Sequence, residues 1–262
     1  MSSKAKPLNL ARARVLISND DGIDAPGLKL LEKVVRGLVG EVWVVAPESE
    51  QSAASHSLTL YNPLRIRKIS KRKYAVSGTP TDSVLLALGE VMKDAPPDLV
   101  LSGVNRGGNL GEDVTYSGTV AAAMEGALLG VKSVAMSQVY ADRRRVHWAT
   151  AEHWLEPVLR RLAKTDWPAG VLMNVNFPPV NANAVTGMEI CRQGQRQISG
   201  TMTRCIDTRG EPYYWVGPRP DEDRYKVGTD LEAVERGAIA VTPLSVDLTH
   251  APTVKKLKAK WP

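Results

Sequence analysis

The sequence predicts an α/β protein with a doubly wound, largely parallel sheet and a C-terminal β-hairpin arm that projects from it. Short apolar runs with the length of buried strands alternate with longer segments in which apolar residues recur at helical spacing. This alternation is typical of a parallel sheet covered by helices on both faces, as in Rossmann-like folds. After about residue 189 the helical spacing ends and polar, glycine-punctuated sequence begins, which predicts the arm.

The elements of the predicted sheet follow from these patterns in chain order. Thr79, Pro80 and Asp82 favour a helix start, because they supply a hydroxyl cap, a first-turn proline and a first-turn acid. A short helix after residue 228 and a strand at 238–241 are expected to complete the fold. The other strands are predicted at 15–17, 42–46, 99–101, 134–136 and 171–175, and the other helices at 28–38, 83–91, 120–129 and 148–162.

The length and composition favour one domain with an appendage. A chain of 262 residues with 43% hydrophobic content buries a full core, so we expect a single α/β domain over residues 1–262. Residues 191–227 are assigned to an extended hairpin arm, with a turn at 207–210. Because an isolated hairpin is marginal in water, the aromatic run 213–215 must pack on the parent sheet or on another subunit.

The overall charge does not by itself indicate a nucleic-acid partner. The net charge is +6, but the basic residues are scattered and aromatic residues make up only 5% of the chain. A surface for stacking bases needs interleaved basic and aromatic residues, so we expect no stable nucleic-acid partner. Two cysteines are too few for a disulfide framework. The polar start of the chain and the lack of a long apolar run predict a cytoplasmic protein with no membrane partner.

The sequence Ser-Asn-Asp-Asp-Gly at 18–22 directly follows the first predicted strand. Adjacent carboxylates on Asp20 and Asp21 at the end of a buried strand are costly unless a positive charge compensates them. A divalent cation is the simplest such charge, and a turn at Gly22 would let both side chains reach one ion. The alternative interpretation is an Asx-type turn that caps the following helix.

Three more polar segments lie where their side chains would meet at the same edge of the sheet. A hydroxyl-rich loop at 47–57 follows the second strand, and a glycine-rich segment at 102–109 follows the third. The segment 116–119 opens the alanine-rich helix, where free N–H groups and hydroxyls form an anion site or simply a helix cap. Oxygen ligands from these segments suit Mg²⁺ or Mn²⁺ better than zinc. His56 fits either a position beside the substrate or the loop surface.

Together these motifs resemble the SurE family, stationary-phase survival proteins that act as metal-dependent nucleoside monophosphate phosphatases. The resemblance extends over nearly the whole chain. It departs from the family pattern at Ala53, where the loop usually has glycine, and at Thr208, where the arm turn usually has proline. It is carried by residues 18–22, 46–59, 77–82, 102–109, 116–119, 228–230 and 242–244.

The resemblance implies a role for each candidate site residue. One divalent metal ion per subunit, Mg²⁺ or Mn²⁺, would be held by Asp20, Asp21, Ser52 and Asn105. The substrate phosphate would be bound by Asn19, Asn109, Ser117, Gly118 and Thr119. Asp20, Asp21 and Asn105 are the candidate catalytic residues, and the sequence leaves open whether Asp20 is a metal ligand, a general base or a nucleophile.

The function implied is hydrolysis of nucleoside 5′-monophosphates, with 3′-monophosphates and polyphosphate as further substrates. The resemblance also implies a homodimer or homotetramer built by exchange of arms. A non-catalytic nucleotide-binding regulatory module is the alternative, but such a module needs phosphate donors and no paired carboxylates. An RNA-binding protein would use the basic surface and leave Asp20 and Asp21 unexplained.

Overall fold

A nine-stranded sheet forms the centre of the protein, and a separate two-stranded sheet forms the arm. The structure, a computed structural model, describes residues 7–142, 145–195, 202–216 and 225–261. The strands are β1 (Arg14–Ser18), β2 (Glu41–Pro47), β3 (Ile66–Ser70), β4 (Lys73–Val76), β5 (Leu99–Arg106), β6 (Lys132–Gln138), β7 (Val171–Phe177), β8 (Met188–Ile190), β9 (Met202–Ile206), β10 (Pro212–Val216) and β11 (Ile239–Ser245).

The central sheet is largely parallel, as the sequence predicts. Its order is β3-β4-β2-β1-β5-β6-β7-β11-β8. The strands from β4 to β7 in this order run parallel to one another, whereas β3 is antiparallel to β4 and β11 is antiparallel to β7. The carboxyl ends of the parallel strands therefore share one edge of the sheet, which is where ligands bind in folds of this class.

Helices cover both faces of this sheet. Val15 and Ile17 of β1 pack in one core layer with α1 and α4, while Leu16 faces the opposite layer with α2 and α3. A central strand that is buried on both faces confirms the doubly wound fold class. The helices are α1 (Pro26–Arg36), α2 (Pro80–Leu86), α3 (Gly118–Leu128), α4 (Trp148–Ala163), α5 (Asp230–Glu235) and α6 (Ala251–Lys258).

The start of α2 follows the predicted capping pattern. The hydroxyl of Thr79 accepts a hydrogen bond from the Asp82 N–H at 3.0 Å, and the Asp82 carboxylate accepts one from the Thr79 N–H at 2.9 Å. The helix begins at Pro80, as the predicted cap and first-turn proline indicate, and the apolar helical spacing starts three residues later, at residue 83. Its regular part ends at Leu86, and a wider π-type turn continues over Ala87–Val91.

The strand predicted at residues 99–101, which is β5 in the structure, is longer than predicted. Residues 102–106 were expected to form a loop, but β5 continues through them to Arg106. After an irregularity between Ser102 and Asn105, the strand pairs again with β6, where Asn105 lies opposite Ser137. Backbone pairing does not depend on apolar side chains, so a search for apolar runs ends the strand too early.

Three strands of the central sheet, β3, β4 and β8, and the last helix, α6, were not predicted from the sequence. The basic residues around 65–73 lie in the β3–β4 hairpin at one edge of the sheet, where most side chains of β3 are exposed. Charged side chains are common on edge strands because they discourage pairing with other chains. Within the described ranges, no helix has both the length and the apolar character needed to cross a membrane.

The described part of the arm is the antiparallel hairpin of β9 and β10, in which Tyr213 lies opposite Cys205. The Asp207 carboxylate closes its turn by accepting hydrogen bonds from the N–H groups of Arg209 and Glu211 at 2.8 and 2.9 Å. Tyr214 and Trp215 are exposed in the single chain. The projecting hairpin that the sequence predicts is therefore present.

The two ends of the range 191–227 are attached to the body of the protein. The Asp230 carboxylate accepts hydrogen bonds from the N–H groups of Gly194 and Gly111 at 2.8 and 3.0 Å. Tyr225 packs against the apolar cluster that includes Cys191. Residues 196–201 and 217–224 of the assigned arm lie outside the described residues.

Candidate active site at the carboxyl ends of the strands

The first turn of α3 lies directly against Asp20. The hydroxyl of Thr119 donates a hydrogen bond of 2.5 Å to Oδ1 of Asp20. Gly118 permits this approach, since a Cβ atom at position 118 would lie 2.7 Å from the Cβ of Asp20. Ser117 is the N-cap residue, and its hydroxyl accepts from the Val120 N–H at 3.0 Å. The segment is therefore more than a cap, because Thr119 contacts the carboxylate.

Asp20 is buried, with only 5% of its surface exposed. The pKa of Asp20 is raised to about 6, chiefly by burial and also by the charge of Asp21, although the Thr119 hydrogen bond lowers it. Such a carboxyl group is either protonated and neutral, or ionised beside a positive charge such as a cation.

Asp21 faces the end of β5. Its Oδ2 accepts a hydrogen bond of 3.1 Å from the backbone N–H of Arg106. Burial raises the pKa of Asp21, the Arg106 N–H lowers it, and the charge of Glu50 raises it. The two carboxylates therefore contact different elements, Asp20 the start of α3 and Asp21 the end of β5.

The turn after Asp21 depends on Gly22, which has a φ of +97°. The side-chain amide of Asn19 closes this turn by donating to the Gly22 carbonyl at 2.9 Å. The N-cap of α1 is Ala25, which has no side-chain cap hydrogen bond. Neither aspartate caps α1, so the alternative interpretation of the pair as a helix cap is wrong.

The loop that follows β2 passes beside Asp20. The Gln51 N–H donates to the Asp20 carbonyl at 2.8 Å, which places Ser52 next to the site. The Ser52 hydroxyl donates to Glu50 at 2.7 Å, so its lone pairs point elsewhere. Ala53 has a φ of +60°, a left-handed conformation that glycine adopts at lower cost. The turn beside Ser52 is therefore left-handed although alanine replaces the usual glycine.

His56 anchors this loop to α3. Its Nε2 lies 2.9 Å from the Glu125 carboxylate, and the neighbouring Ser55 hydroxyl donates to the Thr115 carbonyl at 2.7 Å. Thr59 donates to the Asp82 carboxylate at 2.6 Å. From the sequence, His56 was interpreted as lying either beside the substrate or on the loop surface. Neither interpretation included its contact with Glu125 of α3.

The oxygen atoms around Asp20 and Asp21 fit a divalent cation. Asn105 lies at the end of β5, and its Nδ2 donates to the Gly107 carbonyl at 3.0 Å, which turns its Oδ1 the other way. The Oδ1 of Asn19 is buried and has no hydrogen-bond partner among the described residues. No group of three or more His, Cys, Asp and Glu side chains suited to a metal occurs in those residues. A cation here would depend on two carboxylates together with amide and hydroxyl oxygens, which is a donor set for Mg²⁺ or Mn²⁺.

Asn109 belongs to a second polar cluster, at the ends of β6 and β7. Its N–H donates to Asn176 at 2.8 Å, and its carbonyl accepts from Asn176 at 3.1 Å and from Asn174 at 2.7 Å. Its own side chain donates to the Ser137 hydroxyl at 2.8 Å. Asn174, Asn176 and Ser137 were not predicted from the sequence as parts of the site. Two amides in alternation at the end of an apolar strand were the signal for them.

The structure thus groups the candidate residues into two neighbouring sets along one edge of the sheet. Asp20 contacts the start of α3, and Asp21 contacts the end of β5, which also carries Asn105. The loop that carries Ser52 passes beside Asp20, while Asn109 is held at the adjoining strand ends. Asn19 is fully buried in the turn below them.

Comparison with known proteins places this architecture in a family. The family model described as Survival protein SurE matches residues 15–200. The 5′-nucleotidase SurE of Paramagnetospirillum magneticum is 60% identical over 248 residues, which is 95% of each chain. That of Parvibaculum lavamentivorans is 52% identical over 93% of this chain and 89% of its own. The crystal structure of SurE protein from Aquifex aeolicus matches with a TM-score of 0.84 and 38% identity, covering 95% of this chain and 100% of that one. This chain therefore belongs to the SurE family of survival proteins.

Proposed function

We propose that this protein is a metal-dependent phosphomonoesterase that hydrolyses nucleoside 5′-monophosphates to nucleoside and phosphate. Relatives that share 50% and 60% of its sequence over more than nine-tenths of the chain are named 5′-nucleotidases, which supports the reaction and the substrate class. The observation that carries the assignment to this site is the buried Asp20 and Asp21 pair, set against the start of α3.

The proposed site holds one divalent cation, Mg²⁺ or Mn²⁺. Its ligands would be Asp20, Asp21, Ser52 and Asn105, whose side chains carry the kinds of oxygen donor that these ions prefer. When bound, the cation supplies Lewis-acid chemistry that neutralises charge on a phosphoryl group. Thr119 fixes Asp20 by a hydrogen bond to Oδ1, and the Arg106 N–H fixes Asp21, so both carboxylates are oriented before the ion arrives.

The proposed phosphate site is the start of α3 together with Asn109. Unpaired N–H groups at a helix N-terminus favour anions, and here they adjoin the carboxylate pair that would hold the cation. The start of this helix is buried beside Asp20, and Ser117 and Thr119 add hydroxyls. The rigid cluster around Asn109 holds that residue in place by hydrogen bonds to its backbone and side chain. Such preorganised donors stabilise the charge that develops on phosphoryl oxygens.

We further propose a cytoplasmic homodimer or homotetramer, assembled through the arms. Support comes from the exposed aromatic side chains of the hairpin, since Trp215 is 65% exposed in the single chain. Burial of such a surface by another subunit is the usual reason for it.

The test is phosphate release from a nucleoside 5′-monophosphate with Mn²⁺ and with a chelator. We expect release with the metal, its loss with the chelator and its recovery when Mn²⁺ is restored. Binding of the nucleotide without release of phosphate would instead identify a regulatory module. Release that the chelator does not reduce would contradict the metal site.

A further inference from the structure

A cleft of about 510 Å³ opens beside Asp21 and extends from the candidate site to the starts of α1 and α4. Its volume lies within the range of about 300–1,000 Å³ that is common for small-molecule sites. The lining combines the indole of Trp148, apolar surface from the start of α1, and four charged residues, Asp21, Glu50, Arg106 and Arg145. A mixture of one aromatic face, polar groups and apolar surface suits a ligand with a flat ring and hydroxyl groups.

The indole of Trp148 is held rigidly at this cleft. It is half-buried, packs against the main apolar core, and its Cη2 would lie 3.0 Å from a Cβ atom at Gly27. The same Cβ would lie 1.9 Å from the Val104 carbonyl, so α1, α4 and β5 meet here without spare room. A rigid aromatic side chain loses little conformational freedom when a ligand stacks on it.

We propose that this cleft holds the nucleoside of the substrate, with the base stacked on Trp148. The inference rests on the proposed function, because it assumes that the phosphoryl group lies at Asp20 and Asp21. Asp21 belongs to the candidate metal site and also lines the cleft, so the two sites are contiguous. A phosphate at the carboxylates therefore leaves the rest of the nucleotide at the mouth of the cleft. A second cavity, between α4 and the sheet, holds only about 10 Å³ and is too small for a nucleoside.

Stacking predicts a particular pattern of specificity. Every base has a π-face, so an aromatic platform binds different bases with similar strength. Trp148 therefore contributes to the binding of all nucleoside monophosphates and does not select one base.

Kinetics on Trp148 variants test this assignment. For Trp148→Leu we expect the KM for AMP to rise about tenfold or more, as loss of base stacking does elsewhere. The inhibition constant of inorganic phosphate, which does not reach the cleft, should stay within about twofold of the wild-type value. Trp148→Phe retains an aromatic face and should restore most of the affinity for AMP. A KM for AMP that is unchanged in Trp148→Leu would overturn the proposal, as would an equal loss of affinity for AMP and for phosphate.

A binding measurement separates this inference from the proposed function. Adenosine should quench the tryptophan fluorescence of the wild-type protein whether or not the protein hydrolyses AMP. Trp148→Phe should abolish the quenching, whereas Trp261→Phe, at a residue outside the cleft, should retain it. If the wild-type protein releases no phosphate from AMP but adenosine quenches through Trp148, the proposed function fails and the cleft assignment stands. If hydrolysis is observed and quenching is absent or unaffected by Trp148→Phe, the cleft assignment fails alone.

Discussion

Thr119 donates a hydrogen bond of 2.5 Å to Oδ1 of Asp20, although 99 residues separate the two in the chain. This bond occupies one oxygen of the carboxylate and leaves Oδ2 on the side of Gly118, where a Cβ atom would lie 3.0 Å away. The hydroxyl therefore fixes which oxygen of Asp20 is free for a cation. Because the donor also favours the ionised form, it counteracts the effect of burial on the pKa of Asp20.

Replacing Thr119 tests this relationship. Thr119→Val keeps the shape of the side chain and removes the donor, so Asp20 loses both its orientation and part of its preference for the ionised form. Losses of this kind around a metal ligand typically cost about 10–100-fold in metal affinity or activity. We expect a loss of that size in the Mn²⁺ dissociation constant, measured by calorimetry. Thr119→Ser should restore most of the affinity for Mn²⁺. An unchanged affinity in Thr119→Val would show that Thr119 has no role in orienting the metal ligand.

The pKa of Asp20 predicts how the stability of the metal-free protein depends on pH. The pKa is 3.8 in the unfolded chain and about 6 in the folded one, so the folded state binds more protons between these values. The free energy of unfolding should therefore be highest below about pH 4 as far as Asp20 is concerned, and should fall as the pH rises through 6. The shift corresponds to about 3 kcal/mol at 1.36 kcal/mol per pKa unit.

Comparison with Asp20→Asn isolates this contribution from those of other carboxyl groups. Denaturant unfolding between pH 4 and 8 in the presence of a chelator should show the stability of wild type falling relative to the variant by about that amount. A constant difference between the two proteins across this range would show that Asp20 titrates normally.

Gly118→Ala should disturb the site through contact alone. The added methyl group would lie 2.7 Å from the Cβ of Asp20 and 3.1 Å from Pro80, and neither atom belongs to a flexible side-chain end. We expect a loss of about 1–3 kcal/mol in stability and a marked loss of activity. Gly89→Ala is the matched control, since the new methyl group there meets nothing within 4 Å. Its melting temperature should equal or exceed that of wild type, and equal behaviour of the two variants would contradict the close approach at Gly118.

Features that depend on residues close together in the chain could be predicted from the sequence. The strands that precede Asp20 and Ser52, and the first part of the strand that leads to Asn105, were predictable because continuous apolar runs mark them. Parallel strands bring their carboxyl ends to one edge. The cap at Thr79 was predictable because its partner Asp82 is three residues away. The general location of the site therefore follows from the chain pattern.

Contacts between distant segments left no local pattern. Nothing near Thr119 indicates that its hydroxyl reaches Asp20, and nothing near Asn109 indicates that Asn174 and Asn176 bind its backbone. The contact between His56 and Glu125 is of the same kind, since it joins residues 69 positions apart. These interactions follow from the packing of helices on the sheet, which periodicity alone does not determine.

The exposed hairpin predicts an assembly of several chains. Deletion of residues 196–224, closed by a short Gly-Ser linker, removes β9 and β10 and keeps the hydrogen bonds that Asp230 makes to Gly194 and Gly111. We expect a folded protein with a smaller mass than the wild type by light scattering. Cooperative melting checks that the variant is folded, and a wild-type protein that is already a monomer would end this proposal.

Asp21→Asn should separate stability from activity. Burial and the charge of Glu50 make the ionised form of Asp21 unfavourable, so a neutral amide relieves part of that cost. The amide oxygen of asparagine still accepts the hydrogen bond from the Arg106 N–H. We expect the metal-free variant to melt no lower than wild type, while most Mn²⁺-dependent phosphate release is lost.

The response to metal distinguishes a cation site from a turn that happens to contain two acids. A ligand that binds only the folded state raises the melting temperature, so wild type should gain stability with Mn²⁺ and Asp21→Asn should gain much less. Asp24→Asn makes the same chemical change at an exposed residue nearby, where it removes only a surface ion pair with Lys29. That control should keep both the metal-dependent gain and the activity. An active Asp21→Asn protein with an undiminished gain would exclude Asp21 as a metal ligand, since loss of a carboxylate ligand must weaken the hold on the ion.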